Sequence, residues 1–301
     1  MKKLVETIPN FSEGRNPAKI KKILACFENA SGVTLLDHHK DPDHNRLVVT
    51  AAGEAGALRN AVLRAVDTAV KTIDLRKHKG EHPRIGAVDV IPFVPVGGTS
   101  MEEAVALSRS VAKEIWLTSR VPVFLYEESA VHPERKNLPD IRKGEFEGLS
   151  QKMKDPKWKP DFGGPSPHPT AGAVAVGARM PLIAFNVNLA TDSMAIAGAI
   201  AKAVRHQGGG LRYCRAIPIN LRKRGIVQVS MNMTNYVETP LYRALEMVRS
   251  EARRYGVTVT GSEIVGLVPL DALVQSSAYY MGLEDFSAEQ ILEVKLGEAK
   301  G

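Results

Sequence analysis

Cysteine is almost missing from this chain: 301 residues hold two, Cys26 and Cys214, far apart and in no CxxC pair. That scarcity speaks against a disulfide-stapled scaffold and for a reduced, cytoplasmic protein. Long apolar runs are missing too, so no segment is expected to cross a membrane. The N-terminus MKKLVETIPNFSEGR meets Glu6, Pro9 and Asn10 before any apolar signal core can form. Recognition patterns for nucleic acid, whether helix-turn-helix, zinc finger or RNP-like, are absent, and no nucleic-acid partner is expected. What is present is an ordinary globular composition, 44% hydrophobic and 24% charged. Its length suits two domains or one large one. Forty Lys and Arg stand against 33 Asp and Glu, a formal +7 that favours anionic ligands.

The hydrophobic periodicity predicts the same element order twice. Residues 3–8 read as a strand, 17–29 as an amphipathic helix, 33–38 and 46–52 as strands, 55–74 as a helix and 86–96 as a strand. A helix over about 100–118 and a strand at 121–126 follow. The next fifty-odd residues read as irregular, a length that is usually functional or a linker. Then 181–189 reads as a strand, 195–205 as a helix, 211–219 and 226–233 as strands, 239–256 as a helix and 257–267 as a strand. Two β-α-β-β-α-β units imply an α/β (α+β) fold of two ferredoxin-like subdomains, residues 1–178 and 179–301. Helices are expected outside, with the two sheets facing a central crevice where ligands would bind.

Several stretches carry candidate chemistry. His78-Lys79-Gly80-Glu81-His82 fits a zinc-peptidase H-x-x-E-H pattern, which needs both histidines on one helix. Gly80 costs a helix about 1 kcal/mol relative to Ala, and Pro83 disfavours helical backbone at His82. A turn presenting His, Glu, His and Arg at a strand entrance is the better reading, and no metal is expected. Asp41-Pro42-Asp43-His44-Asn45 begins like a calcium loop but then has Arg46 where Gly is needed, so it reads as a hairpin turn. GGPSPHPTAG, residues 163–172, lacks a P-loop lysine. It is either a stiff interdomain linker or a loop whose glycines let backbone approach a flat ligand. Arg46, Arg84 and Arg179 are candidates for carboxylates, and Asn186 and Asn188 alternate on one face of AFNVNL. Pattern alone leads to acid–base chemistry in a two-lobed protein and leaves the substrate unnamed.

Taken in order, VETIPNFSEGR, DHNRLVVT, HKGEHPRIGAVDVIPF, NLPDIRKGEFEGL, WKPDFGG, LIAFNVNL, QVSMNMTN and GSEIVGLVP resemble the formiminotransferase family over nearly the whole chain. The resemblance implies a two-lobed ferredoxin-like fold, a homodimer, and transfer of a formimino group from N-formimino-L-glutamate to tetrahydrofolate as co-substrate, within histidine degradation and one-carbon metabolism. It puts the catalytic histidine on His82. The folate-contacting loop falls on Gly163, Gly164, Pro165, Ser166, Pro167, His168, Pro169, Thr170, Ala171 and Gly172. Glu81 or Asp37 would orient the imidazole or stabilise a charged amidine. Arg46, Arg84, Arg179, Asn186 and Asn188 are the expected substrate-binding residues. Departures are His168 with its prolines, and His39 where some members carry an acid. The chain's length is expected to leave no cyclodeaminase domain. Alternatives are an enzyme acting on 5-formyltetrahydrofolate and a non-catalytic folate-binding protein.

Overall fold

The computed structural model describes residues 3–298. Two compact units divide the chain, Met1–Arg179 and Met180–Gly301. In the first, the opening strand is broken by Pro9 into β1 (Leu4–Thr7) and β2 (Asn10–Phe11). Both pieces lie between β4 (Arg46–Gly53) and β5 (Val88–Val96), and β3 (Val33–Asp41) closes the edge against β4. That order, β3-β4-β1/β2-β5, is the expected ferredoxin-like one.

Helices α1 (Pro17–Glu28) and α2 (Ala55–Thr72) follow the predicted bounds closely. Asn16 caps α1 by accepting from the Ala18 and Lys19 amides, and Pro17 occupies the first turn, where no amide is needed. With α3 (Met101–Ser119) they press Ile23, Phe27, Leu58, Val62 and Val111 onto the alternate residues Leu47, Val49, Ile91 and Phe93 of the sheet. Each such large side chain, once buried, contributes about 1.5–3 kcal/mol.

The stretch expected to be irregular is instead built. It contains α4 (Leu138–Arg142), α5 (Glu145–Lys152) and β7 (Val174–Ala178). β7 inserts parallel between β5 and β6 (Val123–Glu127), widening the sheet to seven strands. Its residues are small for a reason: a Cβ on Gly177 would stand 2.2 Å from the Tyr126 carbonyl oxygen. α4 and α5 pack Ile141 and Leu149 against Val90, Phe124, Tyr126 and Ala175, the sheet face opposite the α1–α3 core. This sheet is therefore covered on both faces along its parallel edge, where a cover on one face was expected.

The second unit keeps the simpler plan. Strands β8 (Ile183–Leu189), β9 (Cys214–Leu221), β10 (Ile226–Met233) and β11 (Val259–Val265) lie in the order β11-β8-β10-β9, all neighbours antiparallel. α6 (Met194–Val204) and α7 (Leu241–Arg254) cover one face, burying Ile183, Phe185, Val187 and Leu189. α8 (Leu270–Met281) docks on α7, stacking Tyr279 on Tyr242 with ring centroids 4.2 Å apart, and α9 (Leu292–Glu298) follows. Among the described residues no helix is long and apolar enough to cross a membrane.

Candidate active site

Three turns of the first unit dock onto one another at the end of the sheet where β4 begins. In the β3–β4 turn, Asp41 accepts from the amides of Asp43 and His44, each at 2.9 Å, and Asn45 adopts a left-handed φ of 50°. Asn45 Oδ1 then accepts from the Gly14 amide at 2.9 Å, and Asn45 Nδ2 donates to the Lys79 carbonyl at 3.1 Å. The 78–82 loop lies so close that a Cβ on Gly80 would be 2.2 Å from the His44 carbonyl oxygen. Gly80 thus permits a close backbone approach, and that approach sets His82 beside Arg46.

Residues 78–82 are not helical, so His78 and His82 do not share a helix face. Both nitrogens of His78 are engaged. Arg84 Nε donates to Nδ1 at 3.2 Å, and Nε2 lies 2.9 Å from the Asn45 carbonyl, which leaves that nitrogen as donor. The zinc-peptidase pattern is met in letters and not in geometry.

His82 Nε2 is 2.9 Å from Arg46 Nη1. A guanidinium only donates, so Nε2 accepts and the ring proton of the neutral imidazole sits on Nδ1. Burial first, then the positive charges of Arg46 and Arg142, hold the His82 pKa down to about 3. Behind this pair, Arg142 Nε donates to Asp89 Oδ2 at 2.9 Å with a second, shorter bond from Nη2, and Asp89 Oδ1 accepts from the Ile85 amide. The Asp89 side chain is 3% exposed, so its charge is matched almost wholly by Arg142. The Arg46 Nε atom is buried without a hydrogen-bond partner. The cavity beside it, about 10 Å³, is at the lower limit for one water.

The other expected residues fall in different places. Arg84 is buried and engaged: Nη1 donates to Glu145 and Glu147 at 2.7 and 2.8 Å, and Nη2 to Glu147 at 2.6 Å. Its guanidinium ties the loop to α5. Arg46, rather than Glu81 or Asp37, supplies the imidazole's hydrogen bond. Glu81 is exposed. Asp37 pairs with Thr50, four residues beyond Arg46 on β4, about 13 Å along the strand. Arg179 bonds the Phe93 carbonyl through its amide and lies against Glu6 and Tyr126. That is four residues along β5 from Asp89, again about 13 Å.

The glycine-rich loop, residues 163–172, is no linker between the units. Its second half is a tight hairpin in which His168 and Gly172 exchange backbone hydrogen bonds of 2.8 and 2.9 Å. His168 Nδ1 accepts from the Ala171 amide at 3.0 Å. The Thr170 and Ala171 carbonyls accept from Leu75 and Ala87, flanking the 78–82 loop. Gly172, at φ 67°, leaves no room for a Cβ, which would lie 2.0 Å from the Ile85 carbonyl oxygen. The loop is thereby fixed to the same segment that carries His82.

In the second unit Asn186 and Asn188 are 8% and 6% exposed, on the face of β8 away from the helices. Gln228 donates to Asn188 Oδ1 at 2.9 Å and to Glu263 at 2.8 Å, and Asn186 donates to Glu263 at 3.1 Å. These two bonds hold the Glu263 carboxyl below its ordinary range. Asn186 Oδ1 is buried without a partner.

Asp89 and Arg142 belong to the site and were not singled out from the sequence. A signal existed: Asp89 is the lone charge in the apolar strand GAVDVIPFVPV, and a buried acid needs a partner.

The family description "Formiminotransferase domain, N-terminal subdomain" matches residues 4–179, and "Formiminotransferase domain" matches 184–296. The chain is 51% identical to a glutamate formimidoyltransferase of Streptococcus pyogenes serotype M1, covering 97% of this chain and 98% of that protein. It is 46% identical to a glutamate formimidoyltransferase of Thermoplasma acidophilum, with 98% of each covered. Against the formimidoyltransferase-cyclodeaminase of Rattus norvegicus it is 42% identical, over 94% of this chain and 53% of the relative.

Proposed function

The chain belongs to the formiminotransferase family, and from that premise we propose that His82 moves the proton in its reaction. The reaction is glutamate formimidoyl transfer: the formimino group leaves N-formimino-L-glutamate and joins tetrahydrofolate, giving 5-formiminotetrahydrofolate and L-glutamate. The observation that carries the reading is the imidazole with one defined tautomer beside Arg46, at the end of a sheet, on the segment to which the hairpin of residues 168–172 is fixed.

The chemistry asks for little. The secondary amine N5 of the reduced pterin attacks the formimino carbon. The N5–H bond breaks, the carbon–nitrogen bond to glutamate breaks, and the glutamate nitrogen gains a proton. A neutral imidazole accepts the first proton and returns it to the leaving nitrogen, so nothing is left over. Arg46, with Arg142 behind it, receives a carboxylate of formiminoglutamate. The loop from Gly163 to Gly172 takes the pterin, its second half held ready by the bonds to Leu75 and Ala87. Within the second unit, Asn186 Oδ1 is an acceptor left open. The proposed assembly is a homodimer, which sedimentation at working concentration reads directly.

The test is the purified protein with tetrahydrofolate and formiminoglutamate, followed by the absorbance of the product. Turnover supports the transferase. Tight folate binding without turnover, or turnover of 5-formyltetrahydrofolate instead, would replace it.

A further inference from the structure

We propose that Arg46 is a ligand-operated guard on His82: its guanidinium occupies Nε2 in the resting protein, and the donor substrate's carboxylate draws it away and frees the base. The inference rests on the reaction assigned above and adds a role for Arg46 within it.

The starting point is a conflict. A general base needs a free lone pair on the accepting nitrogen. The His82 Nε2 lone pair is already committed to Arg46 Nη1 at 2.9 Å. Around the ring stand Arg46 from β4, Arg142 from α4 and His44 from the β3–β4 turn, with the carboxylate of Asp41 opposing them. In this arrangement the imidazole is a poor base at neutral pH. Something in the reaction must release it.

Arg46 is the group poised to move. It is half-buried, its buried Nε has no partner, and the hydrogen bond it gives His82 goes to a neutral nitrogen. The nearby acids are engaged elsewhere. Asp89 takes Arg142 and the Ile85 amide; Asp41 takes the amides of Asp43 and His44, with His44 Nδ1 at 3.0 Å. Arg142 thus holds Asp89, and Arg46 is left with the imidazole. Arg pairs best with a carboxylate that takes two of its N–H groups at once. An arriving carboxylate offers Arg46 what the imidazole cannot, including a partner for the orphaned Nε. The cavity of about 10 Å³ adds a steric reason. That cavity holds about one water, so a carboxylate entering it displaces a side chain.

The sequence of events then balances. The carboxylate pairs with Arg46, and the Nη1 bond to Nε2 opens. As the new N5–carbon bond forms, the N5 proton passes to Nε2. As the carbon–nitrogen bond to glutamate breaks, the same proton passes to the leaving nitrogen. His82 ends neutral, and departure of glutamate lets Arg46 return. A donor without the carboxylate fails twice, in binding and in freeing the base, so selectivity is expressed in kcat as well as KM.

The experiment is an NMR titration of the histidine rings in the full-length protein, with His82 assigned by loss of its signal in His82→Gln. Free protein, protein with saturating L-glutamate, and Arg46→Gln are compared. The free protein is expected to keep His82 neutral, with the proton on Nδ1, well below the ordinary titration range. L-Glutamate, the product that carries the same carboxylates, raises the midpoint by about two pH units, a hundredfold in proton affinity. Arg46→Gln raises it without ligand, and glutamate then moves it little. The wild-type arm stands even if the variant folds poorly. Titration of His82 near its ordinary value in the free protein overturns the guard, as does failure of glutamate to bind or to shift it. Turnover with an unmoved His82 removes the guard and leaves the reaction. A glutamate-shifted His82 without turnover keeps the guard and removes the reaction.

Discussion

In the second unit, the acid on the sheet face is surrounded by amides: Asn186 and Gln228 both donate to Glu263, and Gln228 also bonds Asn188. In the first unit, the charges at the end of the sheet are arginines: Asp89 pairs with Arg142, and Arg46 is left to a neutral imidazole. Both units have the same strand order. They differ in the charge of the group left without a partner: a neutral amide oxygen, Asn186 Oδ1, in the second unit, and a guanidinium nitrogen, Arg46 Nε, in the first. A cationic group short of an anion is a receiver for an acidic ligand. The two also differ in cover, since α4, which carries Arg142, exists only because the first sheet is extended and roofed along its parallel edge.

That contrast can be broken by substitution. Asp89→Asn strands the half-buried Arg142 charge and should cost about 3–5 kcal/mol of stability, read from the urea midpoint. A change below about 1 kcal/mol would mean that water already screens the pair and that the first unit is no more strained than the second. Acid acts more gradually, one pH unit at a time. His82 has a folded pKa of about 3 against an unfolded value near 6.5. Between these values the unfolded chain binds a proton that the folded chain does not. Stability therefore falls as pH drops through that window, by up to about 1.4 kcal/mol per pH unit. Urea midpoints across it should be flatter for His82→Gln than for wild type; parallel profiles would show that His82 is protonated normally in the fold. The smallest effect is Glu263→Gln. Its carboxylate is exposed and meets neutral amides, so the change should stay within about 1 kcal/mol in the same assay. A cost matching that of Asp89→Asn would erase the distinction between the units.

Much of the fold was legible because periodicity reports burial. The strand at 226–233 and the helices at 17–28 and 55–72 fall where alternating or helical patterns are clean. β7 was not legible. Its sequence, VAVGA, is short and small, and it becomes a strand because β5 and β6 leave a slot that only small residues fit. At the site, the sequence pointed to His82 and Arg46 separately, and the resemblance named the histidine. Their contact was hidden, because it depends on Gly80 lying against the His44 carbonyl, a packing relation between turns 36 residues apart. The partners of Arg84 were hidden for a related reason: Glu145 and Glu147, which hold it, lie some 60 residues on. The H-x-x-E-H letters misled least, since Gly80 and Pro83 already spoke against the helix they require.

The most direct measurement of the central claim is the turnover of His82→Ala beside wild type, with both tetrahydrofolate and formiminoglutamate saturating and folding checked by circular dichroism. Loss of a positioned proton carrier should lower kcat by about 10²–10⁴-fold while both substrates still bind. Turnover equal to wild type would contradict the account, because the proton released by N5 would then be travelling by a route that does not include His82.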